Sequence, residues 1–466
     1  MADELRADAL SCYGNTHPEI STPHIDALAA RGVLFERAYT SSPVCVPARQ
    51  AMLAGQSPLD SGVLNNEGYT PAGWTEPEMF PETLAQAGWA TRNFGKEHLP
   101  GGRSPWQSDD HSGAHMGDLL QVARQHGAEI VRTPEIGHVI SARLPQGVRL
   151  GSEVITESTV NCLADTDAPF LVRASFVQPH KPMVVPEPWA SRYADLHFDA
   201  PRRPDNAPNA FQRAWGELTQ GAALSDEEAQ LSFQQYHACV AWLDDQVGQI
   251  MTALDEHGLR ESTIVIFTTD HGASLGEDGV LAKHTFAPES HRVPLIFSWP
   301  GVLPENTRRG DLTVSEDLAN TVLGLAGVQP PASMTGRDLF REGAPDHVLS
   351  AIGYGDASSR AFPNRDAGSW NDGRGWPQRV CVRTERYRLD VTTRRGGQLV
   401  AEEERDGFFA DTLVDQQERT NRIALPEYQR IIDEMLGLAL NASAAIPEPD
   451  VRADLFEATR AATKAV

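Results

Sequence analysis

A chain of 466 residues is too long for one ordinary domain and long enough for one large domain with a smaller one beside it. Hydrophobic content of 40% marks it as globular, and a formal net charge of −24 argues against nucleic acid or an anionic membrane as partner, while leaving room for a local basic pocket. The five cysteines, Cys12, Cys45, Cys162, Cys239 and Cys381, are scattered without a CxxC pair, which speaks against a disulfide framework and a structural zinc site.

The opening MADELRADAL has neither a basic n-region nor an apolar h-region. No apolar run approaches the roughly 20 residues that span a bilayer, so a cytoplasmic location is expected. HIDALAARG and PETLAQAG read as short helices ended by glycine. Between them lies SSPVCVPARQAMLAG, Ser41 to Gly55. Pro47 suits the first turn of a helix, which places Cys45 at its N-terminus and Arg49 one turn later on the same face. A free cysteine is most often a small buried hydrophobe. A nucleophile at a positive helix end beside an arginine instead suits an anionic substrate.

GWATRNF is a short apolar run leading into FGKEHLP, where Lys96 and His98, two apart on extended chain, are predicted to project to one side. The stretch 101–146 is polar and irregular and reads as part of an insertion near the site, about 101–165 in all. FLVRASFVQPH runs through a strand before His180, STIVIFTTDHG runs through one before Asp270 and His271, and VPLIFSWPG is a third such run. Between them Val240, Leu243, Val247, Ile250 and Leu254 recur at helical spacing from Tyr236 until Gly258. The class is α/β, with a large, mostly parallel sheet flanked by helices and ligands expected beyond the strands' carboxyl ends. After about Asp346 the character changes. The loop NRDAGSWNDGRG precedes a hairpin predicted to close through Gly396 and Gly397. A helix after Pro426 follows, with Tyr428, Ile431, Ile432, Met435 and Leu438 on one face. The expected division is a catalytic α/β domain over 1–345 and a small α+β domain over 346–466.

Cys45-x-Pro47-x-Arg49, followed by MLAG, resembles the type I sulfatase signature. ALSCYGNTHPEISTPHIDALAARGVLFERAYTSSPVC matches that family's entry segment. GKEHL is similar to its Gly-Lys-Trp-His-Leu element and QPHKP to its Pro-His-x-Pro. TTDHG with GEDGVLAKHTFAPESHRVPLIF is similar to its second metal and lysine block, and LVDQQERTNRIALPEY to its C-terminal Asp-x-x-Glu-x-x-Asn-Leu segment. The matches run in the family's order over most of the chain.

The resemblance implies the alkaline phosphatase superfamily fold and hydrolysis of a sulfuric ester. It implies that Cys45 is oxidised to Cα-formylglycine (3-oxoalanine) by a formylglycine-generating enzyme, the hydrated aldehyde being the nucleophile. It implies a divalent cation held by Asp3, Glu4, Asp270, His271 and the residue at 45, usually Ca²⁺, with Mg²⁺ or Mn²⁺ possible. Three carboxylates favour a hard cation. Glu4 stands where the family mostly has Asp or Gln. His271 stands where many members have Asn, a feature shared with iduronate-2-sulfatase-like enzymes and phosphonate monoester hydrolases. Arg49 and Lys96 would hold the sulfuryl charge, His180 and Lys283 would bind substrate and protonate the leaving alkoxide, and His98 would take the nucleophile's second proton. The substrate would be a small-molecule or saccharide sulfate ester.

Two rival readings follow from the same residues. One is a phosphonate monoester or phosphodiester hydrolase on the same scaffold. The other is a non-catalytic sulfatase-like binding protein, against which the survival of Cys45, Arg49, Lys96, His98, His180 and Lys283 argues. A strand of the usual five or six residues has no room before Asp3. An upstream in-frame apolar run is therefore expected, and without it Asp3 and Glu4 would be held loosely.

Overall fold

Short apolar runs form the strands of a central sheet in this computed structural model, which describes all residues except 15–16, 67–73, 102, 133–138, 167–168, 200–208, 354–376, 396–397 and 447–466. On one flank Val33–Tyr39 lies between Thr307–Val314, in parallel, and Leu295–Ser298, antiparallel; the latter also pairs antiparallel with Val265–Thr268. On the other flank Ala90–Gly95 lies parallel between Ser108–Asp110 and Phe170–Ser175. Residues Met1–Asp3 join the flanks through parallel bridges from Ala2 to Thr269 and Asp3 to Pro179. The sheet is therefore mostly parallel, as expected, and VPLIFSWPG supplies a strand that runs against it.

This direction matters for the site. The parallel strands lead at their carboxyl ends into Asp3, Cys45, Lys96, His180 and Asp270, which collects the chemistry along one edge. The long helix Asp226–Glu256 covers one face, beginning at Ser225, whose side chain accepts from Glu228 N. It starts ten residues before Tyr236 because its first turns are polar and hide the period. No described helix is long and apolar enough to cross a membrane.

One expectation needs correction and another is incomplete. The stretch after Gly101 is not irregular: it holds the helix Met116–Gln125 and antiparallel strands Ile130–Arg132 and Val139–Leu144, the latter parallel to Val184–Pro186. Elements this short fall below the window in which periodicity shows. The C-terminal sheet comprises His347–Ile352, Pro377–Thr384, Tyr387–Arg395, Gln398–Leu399 and Gly407–Asp411; Arg394 and Arg395 pair antiparallel with Leu399 and Gln398 as the expected hairpin requires, and a longer hairpin turns at Glu385 and Arg386. There Thr384 Oγ1 accepts from Tyr387 N at 2.9 Å and Arg386 N at 3.3 Å, so a hydroxyl makes the turn without glycine. Gly396, Gly397 and the loop NRDAGSWNDGRG lie outside the described residues. The helix Gln429–Ala444 packs Ile432, Met435 and Ala439 onto this sheet.

Candidate active site

Cys45 is the first residue of the helix Cys45–Ala54, entered from Val44 in extended conformation and left through Gly55 at φ 59°. Pro47 and Gly55 set these limits, as the sequence implied. Cys45 is 1% exposed. Lys283 Nζ lies 2.8 Å from the Cys45 sulfur and His271 Nε2 3.3 Å from it. Burial alone would raise the thiol, but Lys283, Lys96 and His271 outweigh it and hold it well below its ordinary value.

Asp3, Cys45, Asp270 and His271 are all buried, with one ligand atom each inside a 4.8 Å group. His271 Nδ1 sits 2.9 Å from Gly272 O, which assigns its proton there and turns Nε2 toward the group. Asp3 Oδ1 is buried without a hydrogen-bond partner among the described residues. An orphaned carboxylate oxygen, a second carboxylate and an imidazole nitrogen fit a divalent cation. Asp270 is held well below the carboxylate range although burial opposes it, because His271 and Arg49 lie beside it; burial and the Asp270 charge push Asp3 up.

Three residues depart from their expected places. Glu4 is outside the four-residue group: at φ 61° its side chain turns to Lys283 Nζ at 2.6 Å, His180 Nε2 at 3.1 Å and Lys181 Nζ at 3.8 Å. Burial would raise Glu4, but His180, Lys283 and Lys181 bring it well below its ordinary value. Arg49 makes no hydrogen bond to Cys45 among the described residues. Its Nε donates to Asp270 Oδ2 at 2.8 Å, its Nη1 to Lys96 O at 3.0 Å, and its Nη2 lies 3.7 Å from Asp3 Oδ1, so it braces the carboxylates from behind. His98 is exposed at φ 59° and makes no hydrogen bond to the group among the described residues, while Lys96 is buried and donates to Asp3. The strand ends at Gly95, φ 97°, so the two-residue period stops short of His98.

Asp3 and Glu4 are also held firmly rather than loosely. Glu4 N donates to Asp270 Oδ1 at 3.2 Å, and Tyr236 OH donates to Glu4 O at 2.6 Å. Tyr236, Lys181 and Ser175, whose Oγ accepts from Arg49 at 3.2 Å, were not singled out from the sequence. Only Lys181 carried a signal, its charge beside His180 in QPHKP.

A parallel α/β sheet delivering carboxylates, imidazoles and lysines to one buried group defines a hydrolase of the alkaline phosphatase superfamily. Residues 1–328 match the Sulfatase family model, and the chain belongs to the sulfatase family. It is 26% identical over 456 residues to an ulvan-active sulfatase of Formosa agariphila, covering 93% of this chain and 78% of that one. It is 27% identical over 382 residues to iduronate 2-sulfatase of Homo sapiens, covering 71% and 68%. The crystal structure of the phosphonate monoester hydrolase of Agrobacterium radiobacter shares the fold, with a TM-score of 0.76, 21% identity and coverage of 95% and 94%.

Proposed function

We propose that this sulfatase cleaves a sulfate monoester of a saccharide, with formylglycine derived from Cys45 as nucleophile and a divalent cation held by Asp3, Asp270, His271 and residue 45. The observation that supports it most is the convergence of Lys283 and His271 on Cys45 beside the orphaned Asp3 oxygen. When bound, the cation supplies a Lewis acid for the sulfuryl oxygens and lowers the proton affinity of the nucleophile. Ca²⁺ or Mg²⁺ suits the carboxylates; His271 also admits Mn²⁺.

The chain's own residues divide the remaining work. Lys283 Nζ and His180 Nε2, 3.3 Å apart, form the pair that hands a proton to the departing alkoxide. Lys96 holds Asp3, and Arg49 holds Asp3 and Asp270, so that both carboxylates stay in place within a buried site. Glu4 anchors Lys283 and His180 beside the cation group. The saccharide reading rests on the substrates that the relatives' names carry.

The test is direct. Protein made beside a formylglycine-generating enzyme is expected to give a residue-45 peptide with the mass of the aldehyde and to turn over aryl and saccharide sulfates, while Cys45→Ala does neither. Only thiol at residue 45 in a fully active protein would sink the nucleophile. Faster turnover of an aryl phosphonate monoester than of the matching sulfate would favour the rival hydrolase, to which His271 is equally suited.

A further inference from the structure

Glu97 stands between Lys96 and His98 in FGKEHLP, and nothing above gives it a task. One ligand atom each from Glu97, Asp109 and His111 lie within 4.8 Å of one another. The strands bring them together, because Ser108–Asp110 runs parallel to Ala90–Gly95 and ends beside it. The Asp109 side chain is 9% exposed, and neither Asp109 nor Glu97 pairs with a lysine or arginine among the described residues. The neighbouring Arg173 instead donates to Asn93 Oδ1 at 2.6 Å and lies over the Trp106 ring. Burial and the facing Asp109 push the Glu97 carboxyl up to about 7. Two carboxyl groups so enclosed call for a positive charge between them.

The spacing fits a metal ion. His111 Nε2 lies 3.3 Å from Asp109 Oδ2. Two ligands that each stand about 2.0 Å from one tetrahedral Zn²⁺ are separated by about that distance. His111 Nδ1 sits 3.3 Å from Gly95 O, which assigns its proton there and leaves Nε2 for a ligand, the pattern of a metal-bound histidine. Asp109 is oriented in turn, since Asn93 Nδ2 donates to its Oδ1 and Ser104 Oγ to its Oδ2, both at 2.7 Å. The His111 side chain is 48% exposed, which opens the group to solvent. We infer that Glu97, Asp109 and His111 form a second divalent-cation site for a borderline ion such as Zn²⁺, with water completing its shell. Two carboxylates and an imidazole offer too few oxygens for Ca²⁺, so the two sites differ in preference. They share no ligand. An ion here would tie Ser108–Asp110 to the segment that carries Lys96 and His98.

The experiment is equilibrium dialysis of Zn²⁺ against the full chain carrying Cys45→Ala, in excess Ca²⁺. The alanine removes the thiol from the group around Asp3, and Ca²⁺ occupies what remains of it. One Zn²⁺ per chain is expected, bound about tenfold or more weakly after His111→Ala or Glu97→Gln. His111 is exposed, so the fold should survive its loss. His257→Ala, at an exposed histidine elsewhere, should leave Zn²⁺ uptake unchanged. Zn²⁺ should also raise the melting temperature of the Cys45→Ala chain, and not after His111→Ala. No uptake by the Cys45→Ala chain would mean that a proton, not a metal ion, holds the two carboxyls together, and would overturn the inference. Equal uptake with and without His111→Ala and Glu97→Gln would overturn it as well, by placing the ion elsewhere. Because uptake rather than turnover is read, neither result bears on the nucleophile at residue 45.

Discussion

Arg49 is fully buried, yet its guanidinium touches carboxylates and backbone rather than the reacting atoms. Arg49→Met should leave Asp270 and Asp3 repelling each other in a buried place, at a cost of about 3–5 kcal/mol. A bound cation supplies the missing positive charge, so added Ca²⁺ should recover more melting temperature in this variant than in the parent. Calorimetry with and without Ca²⁺ decides it; equal gains would mean that Arg49 does not share a charge site with the metal group. Glu316 offers a pH-dependent case. Burial, followed by the nearby Asp317, pushes its carboxyl up to about 8, and Ser41, in the segment leading to Cys45, donates to it. A carboxyl raised above its ordinary 4.5 favours the fold while protonated, so that stability is full below about 4.5 and lost as pH rises to about 8. Glu316→Gln should therefore raise the melting temperature near pH 8 and change little near pH 4.5. The same shift at both pH values would contradict the assignment.

Gly95 shows how one element end positions the chemistry. Its φ is 97°, and a Cβ there would stand 2.2 Å from Ser175 O and 2.7 Å from Ile155 Cδ1. Gly88, at φ 89°, faces open space. Alanine at either position meets the backbone strain of a positive φ, about 1–3 kcal/mol. Only Gly95→Ala also wedges neighbouring strands apart, for about 1–3 kcal/mol more, and it displaces Lys96, whose N–H donates to Ser175 O at 2.9 Å. Denaturant titration of both variants checks the difference, with turnover expected to fall in Gly95→Ala alone. What the sequence disclosed follows from similar local causes. The helix Cys45–Ala54 was legible because Pro47 and Gly55 bound it, and Asp270 because an apolar run stops there. The antiparallel direction of Leu295–Ser298 was not, since a buried strand reads alike in either direction. The side to which Glu4 turns and the exposure of His98 depend on left-handed backbone at non-glycine residues, which residue type does not announce.

At the scale of the molecule, the C-terminal sheet steadies the loop that carries Lys283. Arg383 donates to Glu418 at 2.6 and 2.8 Å and to Phe286 O at 3.1 Å, and Glu418 also accepts from Arg388 at 2.8 Å. The glutamate in LVDQQERTNR is thus a staple beside the site rather than part of its chemistry. At the opposite end of the chain, Met1 enters between the two flanks of the sheet. Beyond Met1, Phe170–Ser175 and Val265–Thr268 face each other without a partner strand among the described residues, across an apolar cavity of about 210 Å³ lined by Leu171, Val172, Met251, Leu254, Ile264 and Ile266. The Met1 amine donates to Ala174 O at 2.8 Å within this slot. Burial, then Arg173 and Arg49, lower it from 8.0 to about 5. An amine lowered in the fold favours the fold while neutral, so that stability is full above about 8 and is lost as pH falls to about 5. Adding about six β-branched apolar residues before Met1 would turn the amine into an amide, pair both edges and fill the cavity. A glycine-serine extension of equal length would change only the amine. Both are expected to flatten the loss of stability between pH 8 and pH 5 relative to the parent, and only the apolar extension should raise the melting temperature at pH 8. Equal melting temperatures for the two extensions at pH 8 would show that the slot does not accept a strand.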